Sequence, residues 1–415
     1  MRVAMLSMHT SPLAALGGRE TGGMNVYVRE VAAQLAALGV ECDVFTRRTD
    51  AETPEIQELG PIEAGLGARL INITAGPVER LEKEELPPLV GAFADGVEAF
   101  RASEGVEYDL VHSHYWLSVA AGDLLVQRWG VPHIAMFHTL GDVKLRARAS
   151  EHESPERLET ERRVVHALDR IVAATDHERQ LLKQLYRVPP AKVAVIPLGV
   201  NLELFQQGSR AVARAELGIP ADDRLVLAVG RIEPLKGFDI LVRALAEMTV
   251  QDHVSLVLVG GDERASAEQQ RLLAVARELG IEDRVHLVGA VPHERLRLYY
   301  QAADAVAVPS FYESFGLVAV EAMASGIPVV ASRVGGLTST ITDGRTGYLI
   351  PWRCPGPFAE KLDLLFQNIP LRDALGGNAA KAMQAYSWQS VASALLDQYS
   401  ALIAERVAPA AVSRA

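Results

Sequence analysis

Short apolar runs alternate with amphipathic stretches along nearly the whole chain. In the first half, Val3–Ser7, Cys42–Thr46, Leu70–Ile73, Leu110–His112, Ile134–His138, Ile171–Ala174 and Val193–Ile196 read as buried strands. Between them the apolar positions recur at helical spacing, as with Val28, Val31, Leu35 and Leu38 in the stretch Met24 to about Leu38. Further helices are predicted over Glu84–Phe100, Glu156–Leu168 and His177–Tyr186. Between Gly141 and Pro155 the chain is polar and aperiodic, which predicts a loop over a site or a surface excursion.

The alternation breaks at Pro197-Leu198-Gly199-Val200-Asn201, and Leu202–Asp223 is irregular apart from a short helix over about Arg210–Leu217. It restarts with strands at Leu225–Val229, Val254–Val259, Val285–Val288, Ala305–Val308, Val329–Ala331 and Gly347–Ile350. Helices follow from about Pro357 to Ala385, and a last one runs from Trp388 to near Arg406, with a frayed Ala/Pro tail at 407–415. This pattern predicts an α/β protein with two mostly parallel sheets: a first domain over 1–198 joined by the helix 388–406, and a second over 199–387. The two halves share a plan but no sequence repeat.

Composition narrows the function classes. With 415 residues, 49% hydrophobic and 22% charged, the chain can bury two cores. A net charge of −11 argues against a general nucleic-acid surface, so any anionic ligand must find local cations. No apolar run reaches the roughly 18 residues of a membrane span, and residues 1–7 lack signal-peptide architecture, so a cytoplasmic protein is expected. Cys42 and Cys354, one in each half, support neither a disulfide framework nor a thiolate metal site.

The chemistry is concentrated at strand-to-helix junctions. Residues 309–326 carry Glu313 in a polar loop and Glu321 on a small-residue helix beginning near Phe315–Gly316. The backbone N–H groups of Ser314, Phe315, Gly316 and Leu317 would meet an anion at that helix start. A carboxylate pair beside them suits a ligand bearing both hydroxyls and phosphates. Arg231 and Lys236, on the turn Gly230–Gly237, could grip two phosphates of one ligand. The loop Thr21-Gly22-Gly23-Met24-Asn25 brings two glycines to a helix start but lacks the G-x-G-x-x-G spacing, so a dehydrogenase reading loses its support. His112 and His114 share a strand face without a third ligand at metal spacing, and His138 sits where its strand would exit toward a ligand. Lys83, Tyr115, Thr139 and Arg157 lie at element ends and make a site only if the fold gathers them.

Gly22-Gly23, His138, Arg231 with Lys236, and Glu313 with Glu321 together resemble the retaining nucleotide-sugar glycosyltransferases of family 4. That resemblance covers nearly the whole chain. It implies the GT-B fold, two Rossmann-like domains facing across a cleft, with acceptor mainly on the first and nucleotide-sugar donor mainly on the second. The stretches MLSMHTSPL, GGMNVYV, INITAGP, KEELP, DLVHSHYWLS and HTL are most similar to the branch that uses inositol phosphate, the mycothiol glycosyltransferases. Sucrose-phosphate synthases are similar in the same places, and the stretch from Trp352 to Phe358 departs from the mycothiol branch.

The resemblance implies catalytic roles for His138, Arg231, Lys236 and Glu313. Donor contacts would come from Gly22, Gly23, Arg231, Lys236, Glu313, Ser314, Phe315, Gly316, Leu317 and Glu321. Lys83, Tyr115, Thr139 and Arg157 would hold an acceptor phosphate, with Asn25 near the acceptor hydroxyls. The implied partners are a UDP-sugar and a phosphorylated small-molecule acceptor, with no nucleic acid and no integral membrane segment; a homodimer is compatible. No cofactor or metal is required, although Mg²⁺ is compatible. A GT-B epimerase would lack the acceptor-phosphate residues, and a non-catalytic nucleotide-sugar-binding scaffold would tolerate loss of Lys236 or Glu313.

Overall fold

The structure is a computed structural model that describes residues 1–14, 23–59, 67–147, 152–261, 265–351 and 354–407. Gly22 and the end of the tail, 408–415, lie outside the described residues, as do Trp352 and Arg353. The chain forms two compact units, one built from residues up to Pro197 together with the final helix, the other from Leu198–Ser387.

The first unit holds an eight-stranded sheet made of β1 (Arg2–Leu6), β2 (Glu41–Arg47), β3 (Ile56–Glu58), β4 (Ala68–Ile73), β5 (Leu110–His114), β6 (His133–Met136), β7 (Arg170–Ala173) and β8 (Val193–Val195). Their order is β3-β4-β2-β1-β5-β6-β7-β8. All neighbours are parallel except the short edge strand β3, which runs antiparallel to β4 and carries no predictive alternation. From β1 the chain winds outward through β2 and β4, then crosses to β5 on the other side of β1, so the β1 and β5 loops flank the topological switch point. The helix Trp388–Val407 belongs to this unit, and its buried Val391, Leu395, Tyr399 and Leu402 recur at helical spacing.

The second unit repeats the plan with six parallel strands: β9 (Arg224–Val229), β10 (Val254–Val259), β11 (Val285–Gly289), β12 (Ala305–Val308), β13 (Val329–Ser332) and β14 (Gly347–Ile350). Their order, β11-β10-β9-β12-β13-β14, puts the switch point between β9 and β12. The central strands β9, β10, β12 and β13 are apolar and buried on both faces, as parallel strands covered by helices must be, while the edge strand β11 leaves His286 and Val288 exposed. After β9 the helix Phe238–Glu247 buries Phe238, Leu241, Val242 and Leu245. It starts at Gly237, which has φ of +67° and would bring a Cβ to 2.5 Å from the Pro309 carbonyl oxygen. Only glycine lets these two switch-point loops touch there.

Three local expectations need correction. The helix expected over Glu84–Phe100 begins only at Val90, because Pro87-Pro88 set short 3₁₀ turns before it. The strand expected over Ile134–His138 ends at Met136. The polar stretch after Gly141 forms a short helix, Gly141–Ala147, although it carries no apolar period.

Candidate active site

In the first unit the residues named from sequence gather around one aromatic ring. Tyr115 follows β5 directly with φ of +72°, a backbone state a tyrosine rarely adopts. The Arg157 guanidinium lies 4.9 Å from its ring centroid, and the Lys83 ammonium 5.9 Å. His9, from the loop after β1, packs tilted against the same ring, with centroids 4.3 Å apart. Thr139 joins through Arg157, whose Nη2 donates to the Thr139 carbonyl at 2.9 Å and to its hydroxyl at 3.3 Å. The scattered set is therefore one cluster at the first switch point.

Arg157 is held from behind. Its Nε donates to Glu161 at 2.7 Å and its Nη1 to Glu153 at 2.8 Å. Glu161 is fully buried and also accepts from the Gly141 N–H and the Tyr186 hydroxyl. Burial, then the nearby cations Lys83 and Arg157, push the proton affinity of His9 well below the ordinary range. Asn25 is buried on the helix Gly23–Ala37 and ties that helix to the same loop, its Nδ2 donating to Thr10 Oγ1 at 2.8 Å and to the Ser11 carbonyl at 2.6 Å.

His138 stands two residues beyond β6 with φ of +60°, and the Thr139 N–H donates to the Phe137 carbonyl at 2.7 Å across it. His138 is thus the centre of a tight γ-turn of a kind rarely populated, and such strain persists where surroundings over-determine it. Its Nε2 faces Nδ1 of His114 at 3.1 Å, and His112 Nδ1 faces the Tyr399 hydroxyl at 2.7 Å. Burial depresses His112 and His138 to about 3 each. No group of three acid, cysteine or histidine side chains with metal-holding geometry occurs among the described residues.

In the second unit the two switch-point loops are joined by an ion pair between Lys236 Nζ and Glu313 Oε1. Ser310 Oγ also donates to Glu313 at 2.9 Å, and the Gly336 N–H donates to the Glu313 carbonyl at 2.9 Å. The helix after this loop spans Leu317–Ala324, starting one residue past the Phe315–Gly316 expected from sequence, with Gly316 at φ +92° as its N-cap. The N–H groups of Ser314, Phe315, Gly316 and Leu317 make no hydrogen bond among the described residues, which suits an anion at this end. Arg231 is half exposed on the same loop as Lys236 and pairs with Glu233 at 3.0 Å. Glu321 is buried, with Oε1 to His293 Nε2 at 2.8 Å and Oε2 accepting from Tyr300 at 2.7 Å. Gly23 begins its helix in the first unit, while Gly22 is outside the described residues.

His9, Ser310, Glu161 and the His293–Tyr300 pair were not singled out from sequence. His9 could have been, since the loop after the first strand of a doubly wound sheet borders its ligand crevice.

Comparison with known proteins converges on one group. The family description "Glycosyltransferase Family 4" matches residues 21–204, and "Glycosyl transferases group 1" matches residues 209–382. A D-inositol 3-phosphate glycosyltransferase of Kineococcus radiotolerans is 44% identical, covering 98% of this chain and 97% of its own. Another of that name from Actinosynnema mirum is 45% identical over 96% of each chain. Among solved structures, the sucrose-phosphate synthase of Thermosynechococcus elongatus superposes with a TM-score of 0.87 at 36% identity, covering 97% of this chain and 99% of that one.

Proposed function

Because the chain belongs to the family 4 glycosyltransferases and has their GT-B architecture of two parallel-sheet units, we propose that it moves a hexose or N-acetylhexosamine from a UDP-sugar to an inositol phosphate with retention. The observation that carries the acceptor class is the gathering of Lys83, Thr139 and Arg157 around Tyr115. Two cations and a hydroxyl on an aromatic platform fit a phosphate, with Lys83 a point charge and Arg157 a fork once its contacts to Glu153 and Thr139 are exchanged for phosphate oxygens.

The donor half rests on the second unit. Lys236 and Arg231 would meet the diphosphate together with the amides of residues 314–317, Glu313 would accept from sugar hydroxyls, and Glu321 from the ribose. The C1–O bond to the diphosphate breaks while the acceptor hydroxyl attacks C1 from the same face. The hydroxyl proton passes to the departing phosphate oxygen, so the products are UDP and the glycosyl inositol phosphate. Cationic side chains offset the charge that grows on the leaving group, a contact commonly worth about 3 kcal/mol. On this scheme no metal or cofactor is needed. No helix among the described residues is long and apolar enough to cross a membrane, and a cytoplasmic site of action fits a nucleotide-sugar substrate.

A second reading, transfer of glucose to fructose 6-phosphate, is favoured by the likeness to the sucrose-phosphate synthase. Incubating the protein with UDP-glucose or UDP-N-acetylglucosamine, each paired with inositol phosphate or fructose 6-phosphate, and weighing the products tests both. An N-acetylglucosaminyl inositol phosphate is expected. Sucrose phosphate moves the protein to the second reading, and donor hydrolysis alone removes the acceptor assignment.

A further inference from the structure

His114 and His138 are joined by a direct imidazole–imidazole contact, Nδ1 to Nε2, at 3.1 Å. Burial holds both rings well below the ordinary histidine range, His138 at about 3, so both are neutral near pH 7. One proton therefore lies between the facing nitrogens, and two tautomeric arrangements could place it.

The two arrangements differ at His114 Nε2, which is buried and has no hydrogen-bond partner among the described residues. If His138 donated through Nε2–H, His114 would accept at Nδ1 and carry its own proton on Nε2, an unpaired buried N–H. If His114 donates through Nδ1–H, the buried orphan at His114 Nε2 is only a lone pair, and the unpaired N–H moves to His138 Nδ1, which is not among the buried unpaired atoms. Orphaned buried donors are rarer and costlier than under-used acceptors, so the second arrangement wins. His112 differs: its Nδ1 faces the Tyr399 hydroxyl at 2.7 Å and its Nε2 is buried and unpaired, so either direction of that bond leaves one donor, His112 Nε2–H or Tyr399 O–H, without an acceptor among the described residues. Tyr27 packs edge-on against both rings of the pair, at 5.6 Å from His114 and 5.3 Å from His138, and holds their planes.

We propose that His114 is a positioning residue: by donating from Nδ1–H to His138 Nε2 it fixes His138 as the Nδ1–H tautomer. Among the described residues His138 Nδ1 has no partner, so this tautomer leaves one N–H available to a hydroxyl of the transferred sugar. The wrong tautomer would present a lone pair instead. That last step rests on the glycosyltransferase reading of His138.

The experiment is ¹⁵N-histidine NMR on the full-length protein, alongside kinetics of two variants. Native His114 and His138 should both show protonated Nδ1 and bare Nε2. His114→Asn places an amide N–H near the position of the imidazole Nδ1–H, and should keep the His138 signature and turnover within about threefold. His114→Leu removes the donor, and should disturb the His138 signature and lower kcat by about tenfold or more, with both KM values nearly unchanged. Native His138 protonated at Nε2, or an unaltered His138 signature in His114→Leu, overturns the proposal. So does equal loss of turnover in both variants at native melting temperature, which would mark a merely structural residue. The NMR reading needs no substrate, so failure of inositol phosphate as an acceptor would leave it untouched.

Discussion

Lys236 and Glu313, seventy-seven positions apart, close an ion pair between the loops that follow β9 and β12. Both side chains are largely buried, at 19% and 16% exposure, so in the free protein the cation proposed for the diphosphate is already engaged. Binding a nucleotide diphosphate means competing with Glu313 for Lys236. Glu313→Gln should therefore act with opposite signs: UDP binds severalfold tighter, because a pair worth about 1 kcal/mol no longer opposes it, while kcat falls through loss of the sugar-hydroxyl acceptor. Lys236→Ala should weaken UDP and lower kcat/KM by about a hundredfold, near 3 kcal/mol. Calorimetry of UDP with both variants checks this. Weaker UDP binding in Glu313→Gln would show that the pair organises the site and does not compete with the ligand.

Arg157 offers a less simple substitution than sequence suggests. Removing its side chain strands Glu161, whose side chain is wholly buried, without its charge partner. An unpaired buried charge costs about 3–5 kcal/mol, so Arg157→Ala should lower stability as well as acceptor affinity. Arg157→Lys keeps the charge and loses the fork. It should raise the acceptor KM by about tenfold or more while leaving the donor KM within twofold, with only a modest fall in melting temperature. Equal changes in both KM values would remove Arg157 from the acceptor site.

The sheet plan and the two loops that carry Lys236 and Glu313 were legible in the sequence because each has a local signature. Apolar runs spaced by helical periods announced parallel strands, and Arg231 with Lys236, or Glu313 with Glu321, stand on single turns or a single helix start. What the sequence hid depends on contacts without local signature. The γ-turn at His138 joins Phe137 to Thr139 through residues that look like the end of a strand. The short helix at Gly141 has no amphipathic period, and its first N–H is taken by the distant Glu161. Glu321 reads as an open helix-face carboxylate, yet His293 and Tyr300 from the preceding helix occupy both its oxygens.

Glycines behind the Glu313 loop set up a stability contrast. Gly335, at φ +49°, would place a Cβ 1.9 Å from the Glu313 carbonyl oxygen. Gly344, at φ +72°, would meet nothing within 4 Å. Gly344→Ala should show the left-handed backbone cost alone, about 1–2 kcal/mol. Gly335→Ala adds a clash with backbone that cannot yield without moving Glu313, so it should cost more and raise the donor KM, with the acceptor KM unaffected. Denaturant unfolding and initial-rate kinetics of the two variants separate the terms. Similar losses for both would mean that the Glu313 loop gives way freely.

The buried histidines set the acid limit of the fold. His9, His112, His114, His133 and His138 are all held below the ordinary value of 6.5, chiefly by burial, with His133 at about 4 and His112 and His138 at about 3. Each binds a proton more readily in the unfolded chain, so the stability from keeping it neutral is present above pH 6.5 and lost as pH falls toward the folded values. Glu178 works the other way: burial raises it from 4.5 to about 7, so between those values the folded state holds the extra proton and stability falls as pH rises. Between pH 6.5 and 5 the histidines outnumber this single opposing carboxyl. Unfolding should therefore take up more than one proton, and stability should fall by more than the about 1.4 kcal/mol per pH unit that a single proton gives. Urea unfolding at pH 6.0 and 5.0 measures that slope. A slope of one proton or less would mean that these rings are charged in the folded state, and with it the neutral His114–His138 pair would be lost.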